Sequence, residues 1–519
     1  MPEPYRDPKS IAGKPLPVAE TTQLLVIGAG PAGLACAIEG ARLGRSVVLV
    51  DENPVPLETM GLDVPWHFGG RASGAARNAS AMMEAIVASD PAITQAFDAG
   101  VDVRLGTTAW GLYANGPNVG WLPGLVAGLA TDATSWMIGA ESVVVAAGRR
   151  DMGLAFPGWE LPGVMGITAA WQLAHRYGAL DARRAVVLGS GAETLHAAAC
   201  LQAAGVEIVA IVEQAQAPLA SGATAEMLLG HAVARAEGGV SGVEAIVLHR
   251  PGVPNSERRI ECDTVLLGVG AVPVVELMDA LGCRMSFRAD RGGHVPVLDD
   301  RQQTSVPGVY AAGDCAGIWP GKSLSRAIAE AEGRRAAGGA GPVEAPTAPG
   351  FDLAAYRLDW VRASVIGAAG APYVCQCEEV TARDILEVRP PRYLGWPEDR
   401  RNTRDLSLLL GAGPPNPDQV KRLTRAGMGL CQGRRCREQI AALLALGGGV
   451  GLDAIPQATH RAPVRPLKLS IAAETAEPPG MEEHWDTWFG MPSQYVPYWE
   501  VGDTYTAADA DRTGEAASE

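Results

Sequence analysis

Short, unbroken apolar runs alternate with longer Ala- and Leu-rich stretches over the first two thirds of the chain. This is the pattern of strands buried on both faces and joined by helices. Residues 24–27 (LLVI) predict a strand, an Ala-rich helical pattern follows to about Leu43, and Gly44 ends it. A second strand over 46–50 stops at Asp51, and residues 185–213 (AVVLGSGAETLHAAACLQAAGVEIVAIVE) repeat the design. Between the two units the pattern predicts a helix from Asn78 or Ser80 to about Phe97 and a strand over 101–105. A small antiparallel insert over 121–130 and 135–140 follows, then a buried strand over 142–145. Residues 264–270 (TVLLGVG) predict a strand that returns the chain to the first sheet, 309–312 another, and 323–337 a helix. Past 337 the composition changes to a Pro/Gly/Ala linker, GGAGPVEAPTAPG, then a helical stretch over 351–366 and further helices over 419–425 and 437–446. Thr381 reads as a helix cap with Asp384 in the first turn.

The turns between these elements carry the first chemistry. The strand over 24–27 ends in Gly28-Ala29-Gly30-Pro31-Ala32-Gly33, and Asp51 lies 18 residues past Gly33. Gly28 permits the tight turn, Gly30 lets backbone approach a pyrophosphate, and Gly33 lets helix and strand pack closely. The helix N-terminus turns unpaired N–H groups toward phosphate, and the acid can accept ribose hydroxyls. With strand, helix, strand and acid in register, this is a dinucleotide site. In the second unit, Gly189-Ser190-Gly191-Ala192-Glu193-Thr194 replaces the third glycine by Thr194, which is expected to push helix and strand apart. Glu193 places negative charge near the phosphates, and Glu213 disfavours a 2′-phosphate. An empty structural domain is the preferred reading there, with NAD or an adenine nucleotide at Gly189, Gly191 and Glu213 as the alternative. Ala147-Gly148 and Gly313-Asp314 end two further strands in small turns where backbone can pass close to a nucleotide.

Composition narrows the class. The chain has 519 residues, 47% of them hydrophobic and 19% charged, and a net charge of −15. That is an ordinary α/β composition, and the charge argues against nucleic acid and against an anionic membrane surface. No apolar run approaches the roughly 18–20 residues of a membrane span. The opening MPEPYRDPKS lacks the apolar segment of a secretory signal, so the expected location is the cytoplasm, or the inner membrane's periphery through a partner. Nine cysteines in that setting are expected as thiols rather than disulfides.

Four of them form a pattern. Cys375-x-Cys377 precedes the helix start at Thr381, and Cys431-x4-Cys436 lies in AGMGLCQGRRC. Two pairs beside glycines and helix starts make a four-thiolate site. Structural zinc favours pairs two to four residues apart, so the one-residue spacing favours [2Fe–2S], with zinc as the alternative. Cys200, Cys262, Cys283 and Cys315 are isolated and read as structural, as does Cys36 inside the first helix. No acid–base catalytic set emerges, and His67, Trp66 and Lys322 are read as satisfied or solvated.

The motif order GxGxxG, AAG, GxGxx, GVG, AAGD over about 24–340 resembles the two-dinucleotide-domain flavoproteins, the glutathione-reductase-like superfamily. The resemblance implies FAD in the first domain, held by Gly28, Gly30, Pro31, Ala32, Gly33, Asp51, Glu52, Ala147, Gly148, Gly313 and Asp314. Arg71, in FGGR, is a candidate for the flavin phosphates. The disulfide reductases of that superfamily carry a redox cysteine pair soon after the first acid, and residues 52–80 contain no cysteine. Disulfide reduction is therefore not expected. CQCEEVT and the later TRAGMGLCQGRRC resemble the bacterioferritin-associated-ferredoxin type of [2Fe–2S] domain, apart from the wider second pair. Together with the flavin module they resemble the FAD subunits of bacterial opine oxidases, D-hydroxyproline dehydrogenase and hydrogen cyanide synthase, and more distantly the sarcosine oxidase α subunit.

The implied fold is α/β, two Rossmann-like dinucleotide-binding domains followed by a small helical [2Fe–2S] domain. The expected units are an arm (1–22), the FAD domain (23–155 and 262–340), the second domain (156–261), a linker and helix (341–367), the cluster domain (368–460) and an aromatic tail (461–519). That tail packs Trp485, Trp488, Phe489, Tyr495, Tyr498 and Trp499 into fifteen residues, either as a strap over its own chain or as a docking segment. The implied function is an electron-transfer subunit of an amine or amino-acid dehydrogenase. Its partners would be a flavoprotein subunit that oxidises the substrate and a further small subunit. An NAD(P)H-dependent reductase and a zinc-stabilised scaffold are the alternatives.

Overall fold

The computed structural model describes residues 18–56, 71–116, 122–342, 346–347, 349–368, 371–395, 397, 405–411 and 413–473. Two parallel-sheet units dominate it. The first is built on β1 (Glu20–Ile27), α1 (Pro31–Arg42) and β2 (Val47–Asp51), and the second on β3 (Arg184–Leu188), α2 (Ala192–Ala203) and β4 (Glu207–Glu213). In each, a strand buried on both faces feeds a helix that crosses back, so the next strand joins parallel to it.

The first sheet runs in the order Asp102–Leu105, β2, β1, Ser135–Val145, Leu125–Ala130, Thr108–Tyr113, with Val309–Ala311 added parallel to Ser135–Val145. Register is parallel at Ile27 with both Val50 and Val145. The antiparallel insert and the buried strand predicted separately over 135–140 and 142–145 are one strand of 11 residues, which bridges the parallel and antiparallel parts. The helix expected from Asn78 to Phe97 is two, Ala79–Ser89 capped by Asn78 and Pro91–Asp98 capped by Asp90. Pro91 has no N–H to continue the first helix and is suited to begin the second.

The second sheet runs Glu226–Leu229, β4, β3, Thr264–Leu267, Val164–Gly166. Thr264–Leu267 was expected in the first sheet; it pairs instead with β3, Leu267 opposite Leu188. An apolar run of four residues fits the middle of either sheet, so the pattern alone does not choose between them. Past the linker, helix Leu353–Val361 and the small hairpin Tyr373–Cys375 with Val380–Thr381 lead to helices Pro417–Thr424 and Arg437–Gly448. Thr381 and Asp384 form the expected capping box. Residues 461–473 then return to the first unit: Val464 N donates to Trp110 O at 2.8 Å, Arg465 pairs with Glu52, and Lys468 lies 3.2 Å from Asp132. The arm over 1–17, Trp66, His67, Phe68 and the aromatic tail from 474 lie outside the described residues.

Candidate functional site

The turn after β1 opens onto a cleft of about 610 Å³. Gly28 has φ +111°, and a Cβ there would sit 2.3 Å from Ala146 O; a Cβ on Gly33 would sit 1.8 Å from Gly28 O. Only glycine fits at these two places, where the first helix, β1 and the strand ending at Val145 converge. A Cβ on Gly30 would meet nothing within 4 Å, because that position faces the cleft. No side chain caps α1, which leaves its first N–H groups directed at the same space. Asp51 is buried at the end of β2; its carboxylate accepts from Ala29 N at 2.5 Å and from Asn53 N and Nδ2 at 2.8 Å. Pro31, Ala32, Glu52, Ala147, Gly148, Gly313 and Asp314 line the same cleft. A cradle without side chains at the helix end, with acids beyond it, is what a dinucleotide pyrophosphate and its ribose require, so these residues fit FAD.

Lys322 reaches the cleft wall with its side chain fully buried. Its ammonium donates to Gly313 O at 2.8 Å and pairs with Glu332 at 3.1 Å, while Glu332 accepts from Gly313 N at 2.8 Å. The pair clamps both polar groups of Gly313 and so fixes Asp314. Burial pulls the lysine below its ordinary range and pushes the glutamate above its own. The satisfied role expected for Lys322 is the one observed. Across the cleft Arg149 meets Asp314 at 3.4 Å and pairs with Glu193 of the second unit. Arg71 is a correction: its guanidinium donates to the carbonyls of Asp263, at 2.5–2.9 Å, and of Ser241 and Val243, and it does not line the cleft. An arginine after two glycines has no local constraint on its direction, and three converging carbonyls hold this one.

The second unit is built differently at the equivalent places. Thr194 does not push helix and strand apart. A Cβ on Gly268 would lie 2.3 Å from the Thr194 methyl, so that glycine leaves the room, and Thr194 Oγ1 donates to Gly268 O at 2.8 Å. The helix still buries Leu195, Ala198 and Leu201. Glu213 is 0% exposed, and its carboxylate accepts from Ser190 Oγ at 2.7 Å, Tyr356 Oη at 3.0 Å and Ala215 N at 3.0 Å.

The four paired cysteines come together as two couples. Cys377 Sγ is 3.7 Å from Cys431 Sγ, and Cys375 lies beside Cys436. The shared hydrogen bonds hold Cys375 and Cys431 below the ordinary thiol range, Cys431 at about 6, and push Cys377 and Cys436 above it. Gly427 N donates to Cys375 Sγ at 3.4 Å, and the buried Arg435 guanidinium, stacked 5.1 Å from the Trp159 ring centre, lies in the field of all four sulfurs. Among the described residues, no group of three or more His, Cys, Asp or Glu is gathered as for a single ion. The other five cysteines are free thiols; burial pushes Cys36 and Cys262 up to about 12 and Cys315 to about 11.

The cysteine loop and the cleft are neighbours. Arg434, between Cys431 and Cys436, lines the cleft wall and donates to Cys431 O at 3.3 Å. A buried ion network fastens the two together: Glu276 lies 2.5 Å from Arg150 and 3.1 Å from Arg437, and Arg150 is 2.9 Å from Glu438. Sequence reasoning did not single out Glu276, Arg150, Arg434 or Tyr356. The doublets Arg149-Arg150 and Arg434-Arg435, charged and set against glycine turns, were the available signal.

A family model described as pyridine nucleotide-disulphide oxidoreductase matches residues 22–333. An opine oxidase subunit of Agrobacterium tumefaciens (strain Ach5) is 29% identical, over 87% of this chain and 91% of that one. Hydrogen cyanide synthase subunit HcnB of Pseudomonas aeruginosa (strain PAO1) is 26% identical, over 79% and 90%. Among solved structures, L-proline dehydrogenase from P. horikoshii aligns with a TM-score of 0.58 at 20% identity, over 89% of this chain and 81% of that one, a likeness of fold. No helix among the described residues is long and apolar enough to cross a membrane. The match spans both parallel-sheet units and the glycine cradle suited to FAD, and on that basis the chain belongs to the pyridine nucleotide-disulphide oxidoreductase family, as an FAD-dependent oxidoreductase.

Proposed function

We propose that the chain is the FAD- and [2Fe–2S]-containing electron-transfer subunit of a multi-subunit dehydrogenase that oxidises the C–N bond of an opine, D-hydroxyproline or N-alkyl amino acid. One observation carries the reading: the loop that bears Cys431 and Cys436 forms part of the wall of the flavin-type cleft through Arg434. Similarity to opine oxidase subunits along most of the chain supports the substrate class, and the relatives' names as subunits support a complex.

FAD would be held by the Gly28–Gly33 turn, Asp51 and the Gly313–Asp314 turn, and the cluster by Cys375, Cys377, Cys431 and Cys436. When bound, FAD would supply two-electron storage with release one electron at a time, and the cluster would supply single-electron transfer. The protein's own part is to orient and to balance charge. Lys322 and Glu332 fix the Gly313 turn, Arg149 neutralises Asp314, and the Arg435 guanidinium offsets anionic sulfur in a buried setting. The spacing of the pairs, Cys375-x-Cys377 with Cys431-x4-Cys436, supports two irons over zinc.

Visible spectroscopy, iron analysis and EPR of the dithionite-reduced protein test the reading. About two irons per chain with a rhombic signal are expected; zinc without iron overturns it. Copurifying polypeptides and a screen of opines, D-amino acids and N-methylated amines with an artificial acceptor then identify the partners and the donor.

A further inference from the structure

The two βαβ units share a design, yet they treat the acid at the end of the second strand in opposite ways. Asp51 lines the large cleft, whereas Glu213, Ser190 and Gly189 do not. Asp51 also has both oxygens engaged, by Ala29 N and by Asn53, but it keeps its place on the cleft, whereas Glu213 has both engaged and is shut off from it. Oε2 accepts from the Ser190 and Tyr356 hydroxyls, Oε1 accepts from Ala215 N, and the residue has no exposed surface. Tyr356 Oη also lies 3.3 Å from where a Cβ on Gly189 would be, over the first glycine of the turn. At the other end of the turn Glu193 is drawn to Arg149, which is itself held at Asp314.

We infer that the second domain's nucleotide site is filled from within: helix Leu353–Val361 places Tyr356 on Glu213 where a dinucleotide ribose would sit, and the domain serves as a platform for the cysteine domain. The packing supports the second half of that statement. Tyr356, Trp360 and Val361 share one buried cluster with Val186 and Val212 of the second sheet, and the same cluster continues through Val374, Cys375 and Leu443. Edge-to-face contacts of Tyr356 with Phe351, 5.4 Å between centres, and with Trp360, 6.3 Å, fix the ring. A ribose seated on Glu213 would have to displace Tyr356, and with it the helix that leads to Cys375. Pyridine nucleotides, the cofactors after which the family is named, are therefore neither ligands of this domain nor reductants of the flavin.

The test uses the FAD-loaded full chain. NADH, NADPH, NAD+ and ATP are each titrated to about 1 mM by calorimetry, and NADH is added anaerobically while flavin absorbance is followed. No saturable binding and no bleaching are expected, and Tyr356→Phe, which removes only the hydroxyl donated to Glu213, is expected to lower Tm by roughly 1–3 °C. Saturable binding with Kd under about 1 mM, or flavin bleaching by NADH, overturns the inference. An unchanged Tm for Tyr356→Phe overturns the role given to its hydroxyl. The inference does not rest on the amine-donor reading; reduction of the same preparation by amine donors reports on that separately.

Discussion

Glu276→Gln offers the most demanding check on how the cysteine domain is attached. Glu276 is 4% exposed and Arg150 2%, so neither charge is screened by water. Burial opposes ionisation of Glu276, but Arg150 and then Arg437 overcome it and hold the carboxyl well below the usual range. The neutral amide keeps the shape and removes the charge, which leaves the buried Arg150 with Glu438 alone and Arg437 without its carboxylate. Breaking a buried pair in this way costs about 3–5 kcal/mol. With an unfolding entropy of about 2 cal/mol/K per residue over 519 residues, that corresponds to a Tm lowered by roughly 3–5 °C if the chain unfolds as one unit. The sign with pH is fixed by the depressed pKa. The glutamate's contribution is complete above the unfolded carboxyl value of about 4.3 and is lost as pH falls through the lower folded value. The gap between wild type and variant should hold from pH 8 to 5 and close only below about pH 4. Circular dichroism and flavin fluorescence, recorded during the same melt, measure it. Glu226→Gln is the control, because its partner Arg258 is as exposed as it is and the pair should not register. Equal Tm values for wild type and Glu276→Gln at pH 7, or a gap that persists unchanged at low pH, would refute the argument.

Gly28→Ala and Gly30→Ala should fail differently. The first meets Ala146 O at 2.3 Å and should yield little soluble protein, whereas the second meets nothing within 4 Å and should fold while retaining flavin at least about tenfold less tightly, as fluorescence of released flavin will show. Serine at any one of Cys375, Cys377, Cys431 or Cys436 should lower iron per chain by more than about half, while Cys200→Ser leaves it unchanged; unchanged iron in the first four would locate the metal elsewhere. Lys322→Met should leave Glu332 buried without its cation and weaken flavin retention by about 10- to 100-fold, and unchanged retention would remove the clamp on Gly313 from the account.

Much of the first domain was legible because its signals are local. Gly28, Gly30, Gly33 and Asp51 sit at spacings that the turn and helix impose, and the structure places them around one cleft or directly behind it. The cysteines were legible as pairs in sequence but not as the couples they form, Cys377 with Cys431 and Cys375 with Cys436, because those arise only when the loop over 427–436 folds onto the hairpin. Thr264–Leu267 went to the wrong sheet because a four-residue apolar run holds no information about its neighbours. Thr194 looked harmful only while its partner, Gly268, was unknown. Glu276 and Tyr356 carried no local mark, since their partners lie far along the chain: Arg437 is 161 residues from one and Glu213 143 from the other.

The strap over 461–473 has a consequence for how this molecule is made. Val464 and Arg465 border the flavin-type cleft, and Arg465 grips Glu52 across 413 residues of sequence. At a synthesis rate of about 5–20 residues per second, a ribosome delivers the second of these residues roughly 20–80 s after the first. Through that interval the newborn glycine turn stands with an unfinished rim, so secure capture of a prosthetic group waits until Arg465 has been made.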